Sequence, residues 1–328
     1  MSFGKELENM RFSDIVGTAA DHLRSEMQSA RVIHAYLFAG PAGTGKRTLA
    51  AICARALLCG GAGEKPCDEC PSCKQYLSGN HPDVICVRPE KSITVDTIRE
   101  MIDALAVHPY ESDKHVVIIE QAEKMTPQAQ NALLKTLETP PGQAVFFLIT
   151  DQMTALLPTI ISRCRIVRFS LLEEADAVNV LMRGGMEEGR ARLLARLSMG
   201  SVGKAREMDG SEQFWKLREQ VVRALSALHG PEDVGLAALA LSESKDQAGA
   251  MMDILELCAR DIMVMQDGDG SVIQTDLEYV LPTDRFSGER MLMGVMEARK
   301  RLSSNVSWQS VLEMLFFDMA GGKQVWQW

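Results

Sequence analysis

The feature that most constrains how this chain folds is a glycine-rich segment at residues 40–48, which reads Gly-Pro-Ala-Gly-Thr-Gly-Lys-Arg-Thr. It completes the pattern G-x-x-x-x-G-K, in which backbone N–H groups converge on phosphate oxygens and the lysine contacts the β- and γ-phosphates. An apolar run, Ala35–Ala39, precedes it, and apolar residues recur at helical spacing from Arg47 to Cys59. Strand, turn and helix together favour a phosphate-binding loop over the alternative, a chance glycine-rich turn before a helix.

The position after the lysine departs from the pattern, because Arg47 stands where a serine or threonine hydroxyl normally holds Mg²⁺. A guanidinium has donors but no lone pair, so it cannot be that ligand. Thr48 follows one residue later, rotated by about 100° around the helix. The sequence therefore predicts a loop that keeps its phosphate cradle, lacks the metal ligand and leaves the binding of ATP or ADP open. Its candidate nucleotide-binding residues are Gly40, Gly43, Thr44, Gly45, Lys46, Arg47 and Thr48.

A second motif, Val116–Glu123, is an apolar run that continues into Glu120 and Gln121. Loop-type NTPases use an acid at this strand end to hold Mg²⁺, and in many a following glutamate orients the attacking water. Glu120 stands where aspartate is usual, and the amide of Gln121 cannot take a proton from water at neutral pH. For this motif alone, the alternative is a buried strand followed by a polar turn. Beside the phosphate loop, we interpret it as a second loss of catalytic groups, independent of the one at Arg47.

Two further positions are candidates for contact with a nucleotide. Thr150 ends an apolar strand pattern, where such folds place a polar residue near the γ-phosphate, although a threonine at a strand end is common. Ser162-Arg163-Cys164 places an arginine at a helix end on the rim of the sheet. Such an arginine can act as a finger on a nucleotide held by a neighbouring subunit, whereas the alternative is an ordinary surface arginine. Arg163 is the candidate catalytic residue, acting in trans.

Four of the eight cysteines form the third motif, with the spacing C-x7-C-x2-C-x2-C: Cys59, Cys67, Cys70 and Cys73. Four thiolates on a short loop suit tetrahedral Zn²⁺, so the sequence predicts a structural zinc site. A ferredoxin-like cluster would need another cysteine three residues after Cys73, and a redox C-x-x-C pair would need a thioredoxin-like βαβ context. His81 or Cys86 could replace one ligand. We expect the cysteines outside the motif to be small hydrophobic residues: Cys53, Cys86, Cys164 and Cys258.

Composition narrows the class of protein. The length of 328 residues allows two or three domains, and the net charge of −9 provides no global attraction to nucleic acid. Any contact with DNA must therefore be local or shared with partners. No apolar run reaches the ~18 residues of a membrane span, so no membrane partner is expected. The default compartment is the reducing cytoplasm, where the cysteines should not be read as a disulfide framework.

Short β-rich runs alternate with helical patterns between residues 30 and 170, which predicts a parallel α/β sheet. The candidate strands are 35–39, 83–88, 115–120, 144–150 and 166–169. Thr126 and Pro127 are a hydroxyl cap and a first-turn proline, and they predict a helix that runs to Glu138. Strand signals fade after residue 170, and Gly268–Pro282 is a candidate long connection. The later candidate helices are 211–228, 231–243, 246–265, 284–303 and 307–320.

With these motifs the chain resembles the AAA+ clamp-loader subunits of bacterial DNA polymerase III. The specific matches are His34-Ala-Tyr-Leu-Phe, the phosphate loop, the four-cysteine insert, Asn131–Glu138 and Ser162-Arg-Cys. Phe12–Gly17 resembles the segment near the adenine, and Gly200–Ala205 resembles the lid helix whose basic sensor reaches the phosphates, a place that Lys204 would fill. Cys258–Ile262 and Asn305–Glu313 are looser matches to collar segments.

The resemblance implies a RecA-like AAA+ α/β domain, a parallel sheet with helices on both faces, followed by a helical lid and an all-α collar. The corresponding ranges are residues 1–170 with the zinc insert at 59–73, then 171–208 and 209–328. It also implies a hetero-oligomeric ring with gamma/tau and delta subunits, which acts on the sliding clamp and primed DNA.

Within that family the ATP-hydrolysing gamma/tau type keeps G-K-[S/T] and an Asp-Glu strand end. This chain has Arg47 and Glu120-Gln121, and so resembles the delta-prime type, which lends its Ser-Arg-Cys finger to the adjacent motor subunit. We therefore expect a non-motor stator subunit whose own ATPase activity is absent. The alternative is an active ATPase, either a divergent gamma/tau motor or another AAA+ remodelling enzyme.

Overall fold

Five short apolar runs form one parallel sheet in the computed structural model, which describes residues 10–16, 18–28, 32–268, 272–277, 281–302, 304 and 306–321. The strands are β1 (Ala35–Ala39), β2 (Val84–Val87), β3 (Val116–Ile119), β4 (Val145–Thr150) and β5 (Arg165–Arg168). Their order is β2-β3-β4-β1-β5, and every neighbouring pair is parallel. The predicted strands are confirmed, with ends that differ by at most one residue. Gly17 and Asn305, which belong to two of the matched segments, lie outside the described residues.

Helices cover both faces of this sheet. They are α1 (Thr18–Gln28), α2 (Lys46–Leu58), α3 (Pro71–Leu77), α4 (Val95–Leu105), α5 (Pro127–Glu138) and α6 (Pro158–Ile161). Alternate residues of each strand point to opposite faces: Tyr36 and Phe38 join the core beneath α1 and α2, whereas Leu37 joins the core beneath α4 and α5. The predicted helix α5 is confirmed together with its cap, because the Thr126 hydroxyl accepts a hydrogen bond from the Ala129 N–H.

The central strands β1, β3 and β4 are buried on both faces, whereas the edge strand β2 is only partly covered. Cys53, Cys164 and Cys258 are buried, as expected for small hydrophobic residues. The same expectation was wrong for Cys86, which is exposed on β2. An edge strand has a neighbour on one side only, so its side chains receive less cover than those of a central strand.

The chain folds as two compact units, one of Met1–Val180 with Ser201–Gly203 and the other of Leu181–Gly200 with Lys204–Trp328. No strand occurs among the described residues of the second unit, which confirms the predicted helical C-terminal region. The helices from residue 174 onward are α7 (Glu174–Arg183), α8 (Glu188–Leu197), α9 (Val202–Gly210), α10 (Glu212–Ala227), α11 (Val234–Ser242), α12 (Ala248–Asp267), α13 (Gly288–Leu302) and α14 (Trp308–Met319). None of the helices described is long and apolar enough to span a membrane. The three predicted domain ranges stay a prediction.

The predicted connection between α12 and α13 is held by two buried charged side chains. The carboxylate of Asp261 accepts hydrogen bonds from the Ile273 and Gln274 N–H groups, at 2.7 and 2.9 Å. Arg218 donates to both carboxylate oxygens of Asp276, each at 2.8 Å, and to the Gln274 side chain at 3.0 Å. A non-helical segment against a helical core needs such partners, because its backbone N–H groups have none within a helix.

In the first unit, Asp83 organises the loop between α4 and β3. Its buried carboxylate accepts hydrogen bonds from the backbone N–H groups of Tyr110, Glu111 and Ser112 and from the Ser112 hydroxyl. Burial acts to raise the pKa of this carboxyl, but the four hydrogen bonds outweigh it and hold the pKa below its usual range. The ionised form is therefore favoured in the folded protein.

Replacing Asp83 with asparagine should destabilise the first unit by about 2–3 kcal/mol, because an amide keeps only one acceptor oxygen and carries no charge. Since the folded pKa lies below the unfolded value of about 4, the wild-type contribution is complete at neutral pH and is lost as pH falls through the folded pKa. Urea unfolding measured against pH would test both points. The exposed Asp113 of the same loop provides the control Asp113→Asn, which should change stability by less than about 0.5 kcal/mol. Equal losses of stability in Asp83→Asn and Asp113→Asn would contradict the stabilising role assigned to the Asp83 hydrogen bonds.

Candidate functional site

The glycine-rich loop connects the carboxyl end of β1 to the first turn of α2. Gly43 and Gly45 adopt left-handed φ angles of 74° and 87°, which glycine reaches without steric cost. At Gly40 a Cβ would lie 2.2 Å from the Phe169 carbonyl oxygen, so only glycine fits there. The Thr44 hydroxyl donates to the Pro41 carbonyl at 2.8 Å. The sequence prediction of a strand, a glycine-rich loop and a helix is confirmed at these residues.

Lys46 is buried at the base of this loop. Its Nζ donates to the carbonyl oxygens of Gly40 and Pro41 at 2.7 and 2.5 Å, and it forms an ion pair with Asp151 at 2.7 Å. Asp151 directly follows β4, so the carboxyl ends of two neighbouring strands supply partners of one ammonium group. A cavity of about 420 Å³ lies beside these residues and is lined in part by Gly40, Asp151 and Arg168.

Arg47 and Glu120, which come from the two predicted nucleotide motifs, contact each other. The Nε atom of Arg47 lies 3.2 Å from Oε1 of Glu120, and Nε of Arg88 lies 2.8 Å from the same oxygen. Glu120 follows β3 and Arg88 follows β2, whereas Arg47 belongs to the first turn of α2. The arginine at the position of the metal-binding hydroxyl is therefore an ion-pair partner of the acid at the strand end.

The other residues predicted to lie near a nucleotide, Gln121, Thr150 and Thr48, each lie in a different local environment. Gln121 is exposed and has a left-handed φ of 50°, and a short 3-10 turn follows it. Thr150 is buried, and its hydroxyl accepts a hydrogen bond from the Gln152 N–H at 3.1 Å. Thr48 lies half-buried on the first turn of α2. Contact of these residues with a nucleotide stays a prediction.

Residues 201–203, which belong to the first unit, support the phosphate loop from outside. The Gly203 N–H donates to the Gly43 carbonyl at 2.8 Å, and the Ser201 hydroxyl donates to the Ala42 carbonyl at 2.9 Å. A Cβ at Gly203 would lie 2.7 Å from the Cα atom of Gly43, so this approach requires glycine. Lys204 belongs to the second unit, where it lines a cavity of about 810 Å³ with Met208 and Phe214. Its predicted role as a phosphate sensor is not tested by these contacts.

Arg163 follows the short helix α6, as predicted for an arginine at a helix end. Its Nε donates to Oε1 of Glu138 at 2.8 Å, Nη2 donates to the same oxygen, and Nη1 donates to the Thr159 carbonyl at 2.9 Å. The side chain is 32% exposed, so the guanidinium is oriented by its own subunit while it remains partly accessible. A hydrogen-bonded arginine of this kind loses less side-chain entropy when it binds a further anion.

The four cysteines of the insert converge. The sulfur atoms of Cys59, Cys67, Cys70 and Cys73 all lie within 4.8 Å of one another, close to the ~3.8 Å that a tetrahedral site with Zn–S bonds near 2.3 Å requires. His81 is not part of this cluster, because its Nε2 bonds to the Ser72 hydroxyl at 2.8 Å and its Nδ1 accepts from the Asp83 N–H. Cys86 is exposed on β2 and is not in the cluster either. The four-cysteine cluster could hold a metal ion.

Backbone N–H groups point at the sulfur atoms of the cluster. The N–H groups of Cys67, Cys70 and Cys73 donate to the sulfurs of Cys59, Cys67 and Cys70, each at 3.4 Å. Burial acts to raise the pKa of Cys70, but the N–H groups of Cys73 and Gly60 and the neighbouring thiols lower it to about 6. Burial raises the pKa of Cys59 and Cys73. Donors that stabilise a thiolate favour the form that binds metal.

A buried arginine joins the cysteine insert to the helix of the phosphate loop. Arg55 on α2 is fully buried, and it donates to the Asp68 carboxylate at 2.6 Å and to the Met10 carbonyl at 2.5 Å. Asp68 lies between Cys67 and Cys70, and Met10 precedes the segment that resembles an adenine contact. Removing the Asp68 carboxylate would leave a buried charge uncompensated, so the insert and the helix are energetically coupled. The four-cysteine insert is thus an integral part of the first unit.

Sequence reasoning missed several residues that complete these sites, namely Arg88, Asp151 and Glu138, and it named Gly203 only as part of the matched segment Gly200–Ala205. Arg88 and Asp151 each stand at the carboxyl end of a predicted strand. A survey of the residues at those strand ends would have found both, because parallel strands end at one edge of the sheet. Glu138 is the last residue of the predicted helix α5, and nothing in its local sequence indicates that it contacts Arg163.

Comparison with known proteins identifies the family. A family model described as DNA polymerase III, delta subunit, matches residues 16–173. The DNA polymerase III subunit delta' of Bacillus subtilis (strain 168) is 33% identical over 314 residues, which cover 92% of this chain and 94% of that protein. The DNA polymerase III subunit tau of the same organism is 35% identical over 206 residues, covering 60% of this chain and 36% of that protein.

Among solved structures, a protein of Thermotoga maritima related to the DNA polymerase III gamma subunit aligns with a TM-score of 0.42 and 19% identity, covering 90% of this chain and 98% of that one. The similarity to the Bacillus subtilis delta' sequence extends along nearly the full length of both proteins. The chain therefore belongs to the delta-prime subunit family of DNA polymerase III.

Proposed function

We propose that this chain is a non-motor stator subunit of the DNA polymerase III clamp loader, and that it helps to load the sliding clamp onto primed DNA. In this proposal it joins gamma/tau and delta subunits in a hetero-oligomeric ring and supplies Arg163 to the ATP site of a neighbouring motor. Its own phosphate loop does not hydrolyse ATP.

The observation that carries the non-motor role is the contact between Arg47 and Glu120. These residues occupy the two positions at which loop-type NTPases hold Mg²⁺, and here they form an ion pair. Gln121 adds an amide where a carboxylate would orient water, which removes a further contribution to the rate. The same observation argues against the alternative of an active gamma/tau-type motor or another AAA+ remodelling ATPase.

The role of Arg163 in trans is supported by its orientation and its charge. Glu138 and the Thr159 carbonyl hold the guanidinium at the end of α6, and its side chain is partly exposed. A guanidinium presented to a neighbour's phosphates stabilises the charge that develops during phosphoryl transfer.

Assembly with other subunits is supported by exposed apolar side chains in the second unit. Leu236 and Leu239 on α11 are 72% and 58% exposed, and Met293 and Met296 on α13 are 61% and 56% exposed. Each pair is spaced by three residues, so its members share one helix face. Apolar side chains on a shared face are typical of surfaces that partner proteins cover.

For the four-cysteine cluster, we propose a structural Zn²⁺ rather than a redox or catalytic metal. All four candidate ligands are cysteines, and a closed tetrahedral set of four thiolates leaves no position for substrate. The insert packs against α2, where the Ser72 hydroxyl donates to the Leu58 carbonyl at 2.8 Å. The bound ion would therefore stabilise the region that also carries the phosphate loop.

Replacing Arg163 with alanine should lower clamp-stimulated ATPase and the rate of clamp loading by a reconstituted ring several-fold, without changing the folding or the metal content of the chain. An arginine finger supplied in trans can raise the rate of one ATPase site by roughly 10³–10⁵. A ring with several active sites would lose only part of its total ATPase rate when one finger is removed. The measurement is steady-state ATPase and clamp-loading kinetics of rings assembled with each variant.

The matched control is Arg99→Ala, which removes an arginine that is 67% exposed on α4 and forms a local ion pair with Asp96. This control ring should behave as the wild type. Wild-type kinetics for the Arg163→Ala ring, measured with the motors' own fingers intact, would remove the proposed role of Arg163.

Metal analysis of the chain, purified under reducing conditions without added metal, should find about one Zn²⁺ per chain. Cys70→Ser should abolish the binding and lower the stability of the first unit by about 3 kcal/mol or more, because a structural metal contributes directly to folding. Cys86→Ser removes an exposed cysteine outside the cluster and should retain the ion. A zinc content near zero in the wild-type chain would refute the zinc site.

A further inference from the structure

The positions that would hold Mg²⁺ in this loop do not fit that ion. Mg²⁺ requires oxygen ligands at about 2.0–2.1 Å in near-octahedral geometry. Here the loop position offers the guanidinium of Arg47, and Oε1 of Glu120 is contacted by the Nε atoms of Arg47 and Arg88 at 3.2 and 2.8 Å. A metal ion at this oxygen would have to displace two cations from it.

We propose that the loop binds a nucleoside diphosphate without a metal ion, and that the Arg47 guanidinium supplies the positive charge that Mg²⁺ supplies elsewhere. This inference goes beyond the proposed function, because it concerns a ligand of the isolated chain and does not depend on the ring. A diphosphate is the expected ligand, since the metal in loop-type NTPases bridges the β- and γ-phosphates and its loss weakens the hold on the γ-phosphate most.

The cradle for such a ligand is held in shape by contacts outside the metal position. The Gly203 N–H and the Ser201 hydroxyl donate hydrogen bonds to the carbonyl oxygens of Gly43 and Ala42. These loop carbonyls therefore have hydrogen-bond partners before any ligand binds. Lys46 anchors the base of the loop through the carbonyls of Gly40 and Pro41. A loop already fixed in this way loses little conformational entropy on binding a phosphate.

The charges at the site also favour an anion in the absence of metal. Lys46, Arg47 and Arg88 are cations, and they face the two carboxylates of Asp151 and Glu120 through ion pairs of 2.7–3.2 Å. Among these five groups, cations therefore exceed carboxylates before any metal binds. In a motor site the acid at the strand end is balanced by Mg²⁺, whereas here the protein itself balances Glu120.

The test is calorimetric titration of the wild-type chain with ADP, in buffer freed of Mg²⁺ by resin and in the same buffer with excess Mg²⁺. A resin is used in place of a chelator so that an ion in the four-cysteine cluster is not stripped. The two dissociation constants should agree within about threefold. Tightening by about tenfold or more with Mg²⁺, or no binding of ADP in either buffer, would overturn the inference.

Two substitutions distinguish a specific contribution of Arg47 to ADP binding from the general effect of removing one positive charge. Arg47→Thr restores the usual hydroxyl and should weaken ADP binding in Mg²⁺-free buffer by about 10- to 100-fold, since a charged hydrogen-bond donor is lost. Arg99→Gln also removes one positive charge, from an arginine that is 67% exposed on α4 and lies outside the site, so it should change that affinity by no more than about threefold. Circular dichroism and metal content verify that both variants fold. Equal effects of the two substitutions would overturn the role of Arg47.

Hydrolysis measured in parallel keeps this inference distinct from the proposed function. Turnover of ATP by the wild-type chain alone, abolished by Lys46→Ala, would contradict the non-motor role. Metal-dependent ADP binding without turnover would contradict only the metal-free site.

Discussion

All five strands run in the same direction, so the loops that leave their carboxyl ends emerge at one edge of the sheet. Residues far apart in the sequence are thereby brought within contact distance, as the ion pairs of Lys46 with Asp151 and of Arg47 with Glu120 demonstrate. The phosphate loop, its lysine and both of these acids depend on that shared edge. A register shift in any central strand would separate them, because β1, β3 and β4 pair through continuous parallel ladders.

The contact between Arg47 and Glu120 changes how the departures from an active ATPase are understood. Glu120 is largely buried and carries a charge that needs a counter-charge, since an unpaired buried carboxylate is costly. Here the guanidinium groups of Arg47 and Arg88 supply that counter-charge. The Arg47 guanidinium at the loop and the Glu120 carboxylate at the strand end therefore compensate each other's charge.

Local chemistry was sufficient to predict much of this protein from its sequence. Apolar runs bounded by turn residues indicated the strands, the Thr126-Pro127 pair indicated the start of α5, and cysteine spacing indicated the cluster. Each of these signals is read within a few residues, since burial, capping and ligand geometry act over short stretches of chain. Cys86 was misjudged because exposure depends on whether a strand lies at the edge of the sheet, which the strand's own residues do not determine.

The pairing of charges could be decided only by the tertiary structure. Arg163 and Glu138 are 25 residues apart in the sequence, and Arg88 and Glu120 are 32 residues apart, yet each pair is in contact. The sequence determined that a glycine-rich loop between strand and helix and a four-cysteine cluster exist, because the residues of each lie within one short segment. Tertiary structure decided that Arg47 faces Glu120, because an ion pair depends on the distance between two atoms and that distance is set by strand order and helix packing.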